Sequence, residues 1–172
     1  MNRRSFLSRG ITLAGLAALS GLPVVSPASG QGKKSKSQGF KGVRKVSKTD
    51  AEWKNILTPK QFYVMRQKGT EAPYSSPLNE NHEQGSFICV GCGLPLFSSK
   101  AKFDSGTGWP SFWEPIAKEN VLEEVDNSLS ATRTEVLCAR CEAHLGHVFE
   151  DGPRPTGLRY CMNGVALKFV KE

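Results

Sequence analysis

Apolar residues along this chain fall into three textures. Between Gly10 and Val25 they run nearly unbroken, with Ile11, Leu13, Leu16, Leu19 and Leu22 spaced by small residues. Residues 29–48 are rich in Gly, Ser, Lys and Gln, with too few apolar positions to repay the entropy of ordering. From Thr49 onward apolar positions return in short runs. Thr49-Asp50-Ala51-Glu52 and Thr58-Pro59-Lys60-Gln61 carry the spacing by which two side chains satisfy the orphan amides of a helix start. Two short helices are therefore predicted, the second carrying Phe62 and Met65 and ending near Gly69. Beyond Gly69, runs at 86–90, 121–125, 130–137, 147–150 and 165–170 are punctuated by Gly, Pro, Asn and Ser, and predict strands. The expected fold is mainly β with helices at its front.

The front of the chain reads Met-Asn-Arg-Arg-Ser-Phe-Leu-Ser-Arg ahead of an apolar run that Gly15, Ser20, Gly21 and Pro23 interrupt. Paired arginines, mild hydrophobicity and a small-residue site at Ser26-Pro27-Ala28 describe a secretory signal over 1–28. It resembles the twin-arginine type and makes a poor permanent membrane span. The expected destination is the periplasm. This changes the meaning of the net charge. The 172 residues total +7, which on its face invites an acidic partner. Ten of the 23 basic side chains, however, lie in residues 1–48, where there is no acid. Residues 49–172 keep 13 basic and 16 acidic side chains, a mildly acidic balance that argues against nucleic acid. The implied organisation is one domain at 49–172 behind a flexible basic tether at 29–48.

Five cysteines leave one thiol over from any complete pairing. Cys89-Val-Gly-Cys92 and Cys138-Ala-Arg-Cys141 are two Cys-x-x-Cys pairs with 45 residues between them. Tetrahedral zinc takes four thiolates from two tight turns, and Gly91 and Gly93 suit the backbone of the first. Redox disulfides and a structural disulfide pair in an oxidising compartment are the competing readings. A dithiol redox motif has no reason to occur twice at matched turns, so one zinc ion is expected. Four sulfur ligands leave no open position for chemistry, which makes its role structural. Export of an already folded chain would let the metal load first in the reducing cytoplasm.

Cys161 is the remaining thiol. Arg159 and Asn163 alternate with it, which on a strand places all three on one face, and a cation beside a thiol favours the reactive thiolate. An inert place in the core is the competing reading. His144 and His147 follow the second cysteine pair. With four sulfurs on the metal, proton handling suits His147, while His144 has the alternative of satisfying the knuckle. Trp109, held between Gly108 and Pro110, reads as a pocket wall for a small apolar group; Phe112 and Trp113 read as core.

Taken in order, Gly69-Thr70-Glu71-Ala72-Pro73-Tyr74, both cysteine pairs, Gly108-Trp109-Pro110-Ser111-Phe112, Arg133-Thr134-Glu135-Val136, the segment His144 to Phe149, and the segment Arg159 to Asn163 resemble a known family. It is the peptide-methionine (R)-S-oxide reductases, the B-type methionine sulfoxide reductases, and the similarity spans about residues 49–170. The resemblance implies two antiparallel β-sheets with short N-terminal helices and one structural zinc on Cys89, Cys92, Cys138 and Cys141. It implies Cys161 as the nucleophile on the sulfoxide sulfur and His147 as the acid for the departing oxygen. His144 and Asn163 would orient the substrate, Trp109 would face its S-methyl group, and Thr70 and Arg159 would be further substrate-side positions. The enzyme is left as a sulfenic acid. Many family members carry a resolving cysteine in the Gly-x-Gly-Trp loop, where this chain has Thr107. An external thiol, from a thioredoxin-like protein or a small molecule, is then the expected reductant. The other expected partners are oxidised peptides or proteins, with no nucleic acid, and the expected state is a monomer.

Two other functions use the same residues differently. A binding module would dock protein or nucleic acid on the knuckles and tolerate Cys161→Ser. A hydrolase would turn Cys161 and His147 on a carbonyl, but needs an oxyanion hole that no motif supplies and leaves the Trp109 loop without a role.

Overall fold

The computed structural model describes residues 42–172, so the expected export signal and most of the expected tether lie outside the described residues. Two capping boxes start the helices. Thr49 accepts from the Glu52 amide while Glu52 Oε2 accepts from the Thr49 amide at 2.7 Å, opening α1 (Asp50–Ile56). Thr58 and Gln61 repeat the arrangement at α2 (Pro59–Gln67). Each cap contributes about 1 kcal/mol. Lys68, in the left-handed region at φ 57°, ends α2 just before Gly69. Trp53, Phe62 and Met65 are buried beneath the two helices.

The strands are β1 (Gly85–Cys89), β2 (Pro95–Ser98), β3 (Lys102–Phe103), β4 (Ser111–Phe112), β5 (Val121–Asp126), β6 (Arg133–Cys138), β7 (His144–Phe149), β8 (Arg159–Met162) and β9 (Leu167–Lys171). They pair antiparallel in a three-stranded sheet, β2-β1-β9, and a six-stranded sheet, β3-β4-β8-β7-β6-β5. The two antiparallel sheets and front helices are those expected. Strand bounds differ from the sequence reading: β6 begins at Arg133, not 130, because residues 127–132 form the turn from β5. β7 begins at His144, three residues early. Strands β2, β3 and β4 were not foreseen; they are two to four residues long, too short for alternation to register.

Aromatic side chains from both sheets meet in the core. Phe97 of β2 stacks on Phe112 of β4 with centroids 4.5 Å apart, Phe87 of β1 meets Phe112 edge-on at 4.9 Å, and Tyr160 of β8 lies 5.7 Å from Phe97. Phe112 is fully buried, as expected, whereas Trp113 is only half-buried. Val43 and Val46 also pack on this core, and the Val46 amide donates to the Arg140 carbonyl at 2.8 Å. Residues that composition alone assigned to the tether therefore touch the body of the fold. No helix among the described residues is long and apolar enough to cross a membrane.

Candidate functional site

Two matched turns build a four-cysteine cluster that could hold a metal ion. In the first, the Gly93 amide donates to the Cys89 carbonyl and the Cys89 amide to the Leu94 carbonyl; in the second, Glu142 and Cys138 donate to Cys138 and Ala143 in the same pattern. The residue after each pair is left-handed, Gly93 at φ 72° and Glu142 at φ 56°. Glycine takes that conformation freely, and the second turn holds a glutamate in it. The four Sγ atoms lie within 4.8 Å of one another, with Cys89 to Cys141 at 3.6 Å and Cys92 to Cys138 at 3.5 Å. Tetrahedral zinc with bonds of about 2.3 Å has sulfur–sulfur edges of about 3.8 Å. The donor set and spacing therefore fit a metal ion of this kind. Arg66 and Arg140 donate to the Cys141 and Cys92 carbonyls, steadying the turns from outside. Gly91 lies under the helices: a Cβ there would come within a tight 3.3 Å of both Trp53 and Met65.

Strand pairing assembles the second site. Register sets Cys161 of β8 opposite His147 of β7 on one side and Ser111 of β4 on the other. Gly146 permits this approach, since a Cβ there would sit 2.1 Å from the Cys161 carbonyl oxygen. Thr70, Trp109, Arg133, His147, Phe149, Cys161 and Asn163 line one cavity of about 130 Å³. Pockets for drug-sized ligands run to roughly 300–1,000 Å³, so this one suits the end of a single side chain. A larger groove of about 570 Å³, over Lys60, Leu78 and Phe169, is lined by no thiol or imidazole.

Burial pushes the Cys161 thiol up, against the hydroxyls of Thr107 and Ser111 and the Arg159 guanidinium, which favour its anion. Thr107 Oγ1 stands 3.9 Å from the sulfur. His147 is pulled below the ordinary imidazole range by burial, which outweighs its bond to Asp126. That bond joins Nε2 to Asp126 Oδ2 at 2.8 Å, and Arg133 holds the same oxygen at 2.6 Å. Hydrogen bonds from Ser128, then His147 and Arg133, keep the Asp126 carboxyl well below the usual range. As an anion it accepts from Nε2–H, leaving Nδ1 as the ring position where His147 gains or loses its second proton.

Two expected substrate-side residues lie off the cavity wall. His144 sits behind His147, ring centroids 5.4 Å apart, with Nδ1 bonded to Glu135 at 2.7 Å and Nε2 buried without a partner. It bonds β6 and not the knuckle. Arg159 is not part of the cavity lining: it makes a two-pronged contact with Asp151 at 2.8 Å and stacks on Phe149 at 4.4 Å, while its charge still acts on Cys161. Its strand does not alternate through to Asn163 because β8 ends at Met162. Cys161, Asn163, Trp109, His147 and Thr70 are brought together as expected.

Three acidic residues escaped the sequence reading. Glu71 is buried; its amide donates to Asn163 Oδ1 at 3.0 Å and its carbonyl accepts from Trp109 Nε1 at 3.1 Å. Its carboxylate accepts from the Gly164 and Val165 amides that follow Asn163. One residue thus ties together Trp109, Asn163 and the end of β8. Burial pushes its carboxyl up, with those two amides opposing. Glu135 is buried between His144 and Lys68, whose Nζ lies 2.6 Å away; burial raises its carboxyl, but the two partners outweigh it and hold it low. Asp126 is the third. Glu71 and Glu135 both stood inside the quoted motifs, and their acidic character there was the available signal.

Residues 57–171 match the SelR domain family model. The chain is 56% identical over 128 residues to peptide methionine sulfoxide reductase MsrB of Methanosarcina mazei, covering 74% of this chain and 91% of that protein. MsrB of Hahella chejuensis is 54% identical over 125 residues, 73% of this chain and 90% of that protein. MsrB of Leptospira interrogans is 52% identical over 127 residues, 74% of this chain and 97% of that protein. Similarity of this degree, over nearly the whole length of each relative and across both cysteine turns and the cavity, makes the chain a member of the MsrB family and a peptide methionine sulfoxide reductase.

Proposed function

We propose that the protein reduces peptide- or protein-bound methionine (R)-S-oxide with Cys161 as the attacking sulfur. The observation that carries this is the cavity itself: a half-buried thiol, an imidazole, an amide and an indole line a space for one side-chain end. The Cys161 sulfur takes the oxygen and becomes a sulfenic acid, while the substrate sulfur gains two electrons and leaves as methionine. His147 supplies a proton to the departing oxygen and recovers it afterwards, so no net proton is consumed. Trp109 and Phe149 receive the methyl end, and shape selects the epimer.

Cys89, Cys92, Cys138 and Cys141 would hold a structural zinc ion that carries no step of the reaction. Thr107 occupies the loop position nearest Cys161, so no free cysteine stands there as an internal partner. Two external thiols complete the cycle: the first forms a mixed disulfide and releases water, the second regenerates Cys161. Residues 1–28 direct export by the twin-arginine route to the periplasm, residues beyond them tether the domain, and the enzyme acts there as a monomer on oxidised proteins.

Turnover of the two methionine sulfoxide epimers with dithiothreitol tests this reading. The expected result is exclusive use of the R form, lost in Cys161→Ser, with a dimedone adduct on Cys161 in sulfoxide-treated enzyme. Equal use of both epimers, or a stable bridge from Cys161 to a knuckle cysteine, would overturn it.

A further inference from the structure

Three hydroxyls connect Cys161 to the backbone of the Trp109 loop. Ser111 Oγ donates to the Trp109 carbonyl at 3.1 Å; Ser105 Oγ lies 2.8 Å from Ser111 Oγ and 2.8 Å from Thr107 Oγ1; Thr107 Oγ1 lies 3.9 Å from Cys161 Sγ. Each hydroxyl has one proton, so the direction of the whole chain follows from its fixed end. A carbonyl only accepts, which commits the Ser111 proton to Trp109. Ser105 must then donate to Ser111, and Thr107 to Ser105. Thr107 is left with a lone pair facing the sulfur, the arrangement that suits a neutral S–H. A thiolate needs the opposite, a donor. Thr107 supplies one only if Ser105 and Ser111 turn as well, releasing the Trp109 carbonyl.

We propose that Ser105, Thr107 and Ser111 form a reversible hydroxyl relay, pointing away from Cys161 while it is a thiol and turning to donate to its sulfur once it is an anion. This deepens the reading of Cys161 as the attacking sulfur and rests on it. No covalent bond changes in the relay: each oxygen keeps its proton and rotates, while the thiol proton leaves through the cavity. Ser111 is fully buried, so water does not substitute for its partners. Bonds to an anion are about twice as strong as those between neutral groups, so the relay favours the thiolate against the burial that opposes it. The charged and titratable groups facing Cys161 are Arg159 on its own strand, and His147 and Arg133 across the cavity on β7 and β6. The loop side contributes hydroxyls. Thr107 touches the sulfur, whereas Ser105 is a positioning residue that reaches it through its two neighbours.

Alkylation of Cys161 by iodoacetamide, followed across pH in the zinc-bound full chain by mass spectrometry of the Cys161 peptide, reads the ionisation directly. Thr107→Val and Ser105→Ala are each expected to raise the midpoint by about one pH unit. The double variant should shift no further than the larger single one, because both break the same chain. Thr107→Ser, which keeps the hydroxyl, should retain the original midpoint. Ser105→Gly takes its place should Ser105→Ala lose its fold by circular dichroism; Ser111 also stands beside the sulfur and is left unchanged. A midpoint unmoved in Ser105→Ala, or additive shifts in the double variant, would overturn the relay. Turnover surviving in Cys161→Ser would instead refute the assignment of the nucleophile, a separate outcome from any alkylation midpoint.

Discussion

Asp126 and Glu135 each hold one ring nitrogen of a histidine, and the two pairs differ in what surrounds them. His144 and Glu135 are both buried, backed by Lys68, and lie off the cavity. His147 and Asp126 reach the cavity and share Arg133. Burial lowers the His147 value and Asp126 opposes this, so the fraction of protonated His147 falls as pH rises through its lowered value. If that form delivers the proton, kcat/KM falls along the same limb. Asp126→Asn removes the anion and leaves Arg133 nearby, moving the limb to still lower pH. At pH 7 the expected loss is about tenfold, read from a pH–rate profile in which the low-pH plateau is less affected. The cysteines and histidines of the site were legible in the sequence because each carries distinctive chemistry. Their carboxylate partners were not, since Asp126 lies 21 positions from His147 and meets it only through folding.

At the scale of elements, the β7–β8 pair is what makes the site. A one-residue slip would turn Cys161 and His147 to opposite faces. Gly146 lies in the way of any larger residue, its missing Cβ directed at the Cys161 carbonyl oxygen. Gly146→Ala is expected to destabilise the protein by more than about 2 kcal/mol and to remove nearly all turnover, because the strands must part where Cys161 sits. Urea unfolding followed by circular dichroism checks the first effect and sulfoxide turnover the second. The two helices were legible to within a residue or two, since a capping box is a local signal whose partners are three positions apart. Strands β2 to β4 were not, because what makes them strands is pairing: β2 with β1, β4 with β8, and β3 with β4.

For the whole molecule, the four-cysteine cluster that could hold a metal ion joins the two sheets. Cys89 ends β1 of the smaller sheet and Cys138 ends β6 of the larger, so an ion held by the four sulfurs would bind both layers at one point, beneath α1 and α2. Structural zinc contributes on the order of 10 kcal/mol of apparent folding free energy, comparable with the whole net stability of a domain. The purified protein is expected to carry one zinc per chain by elemental analysis. Chelation in mild urea should unfold both sheets in a single transition, and Cys138→Ser should do so without chelator. Loss of metal with the near-ultraviolet signal intact would refute a stapling role.

The sequence by itself determined whatever depends on neighbours a few positions apart: two helix starts, two cysteine turns, the odd thiol, and a Trp held between glycine and proline. These are local because covalent spacing alone brings the groups together. Tertiary structure decided which groups meet across the sheets. It gave His147 its carboxylate, drew Arg159 onto Asp151 and Phe149, and set Glu71 between Trp109 and Asn163. It also lined up three hydroxyls behind Cys161. Strand register makes those choices, and register follows from burying Phe87, Phe97 and Phe112 together, a requirement spread over the chain and not written at any one position.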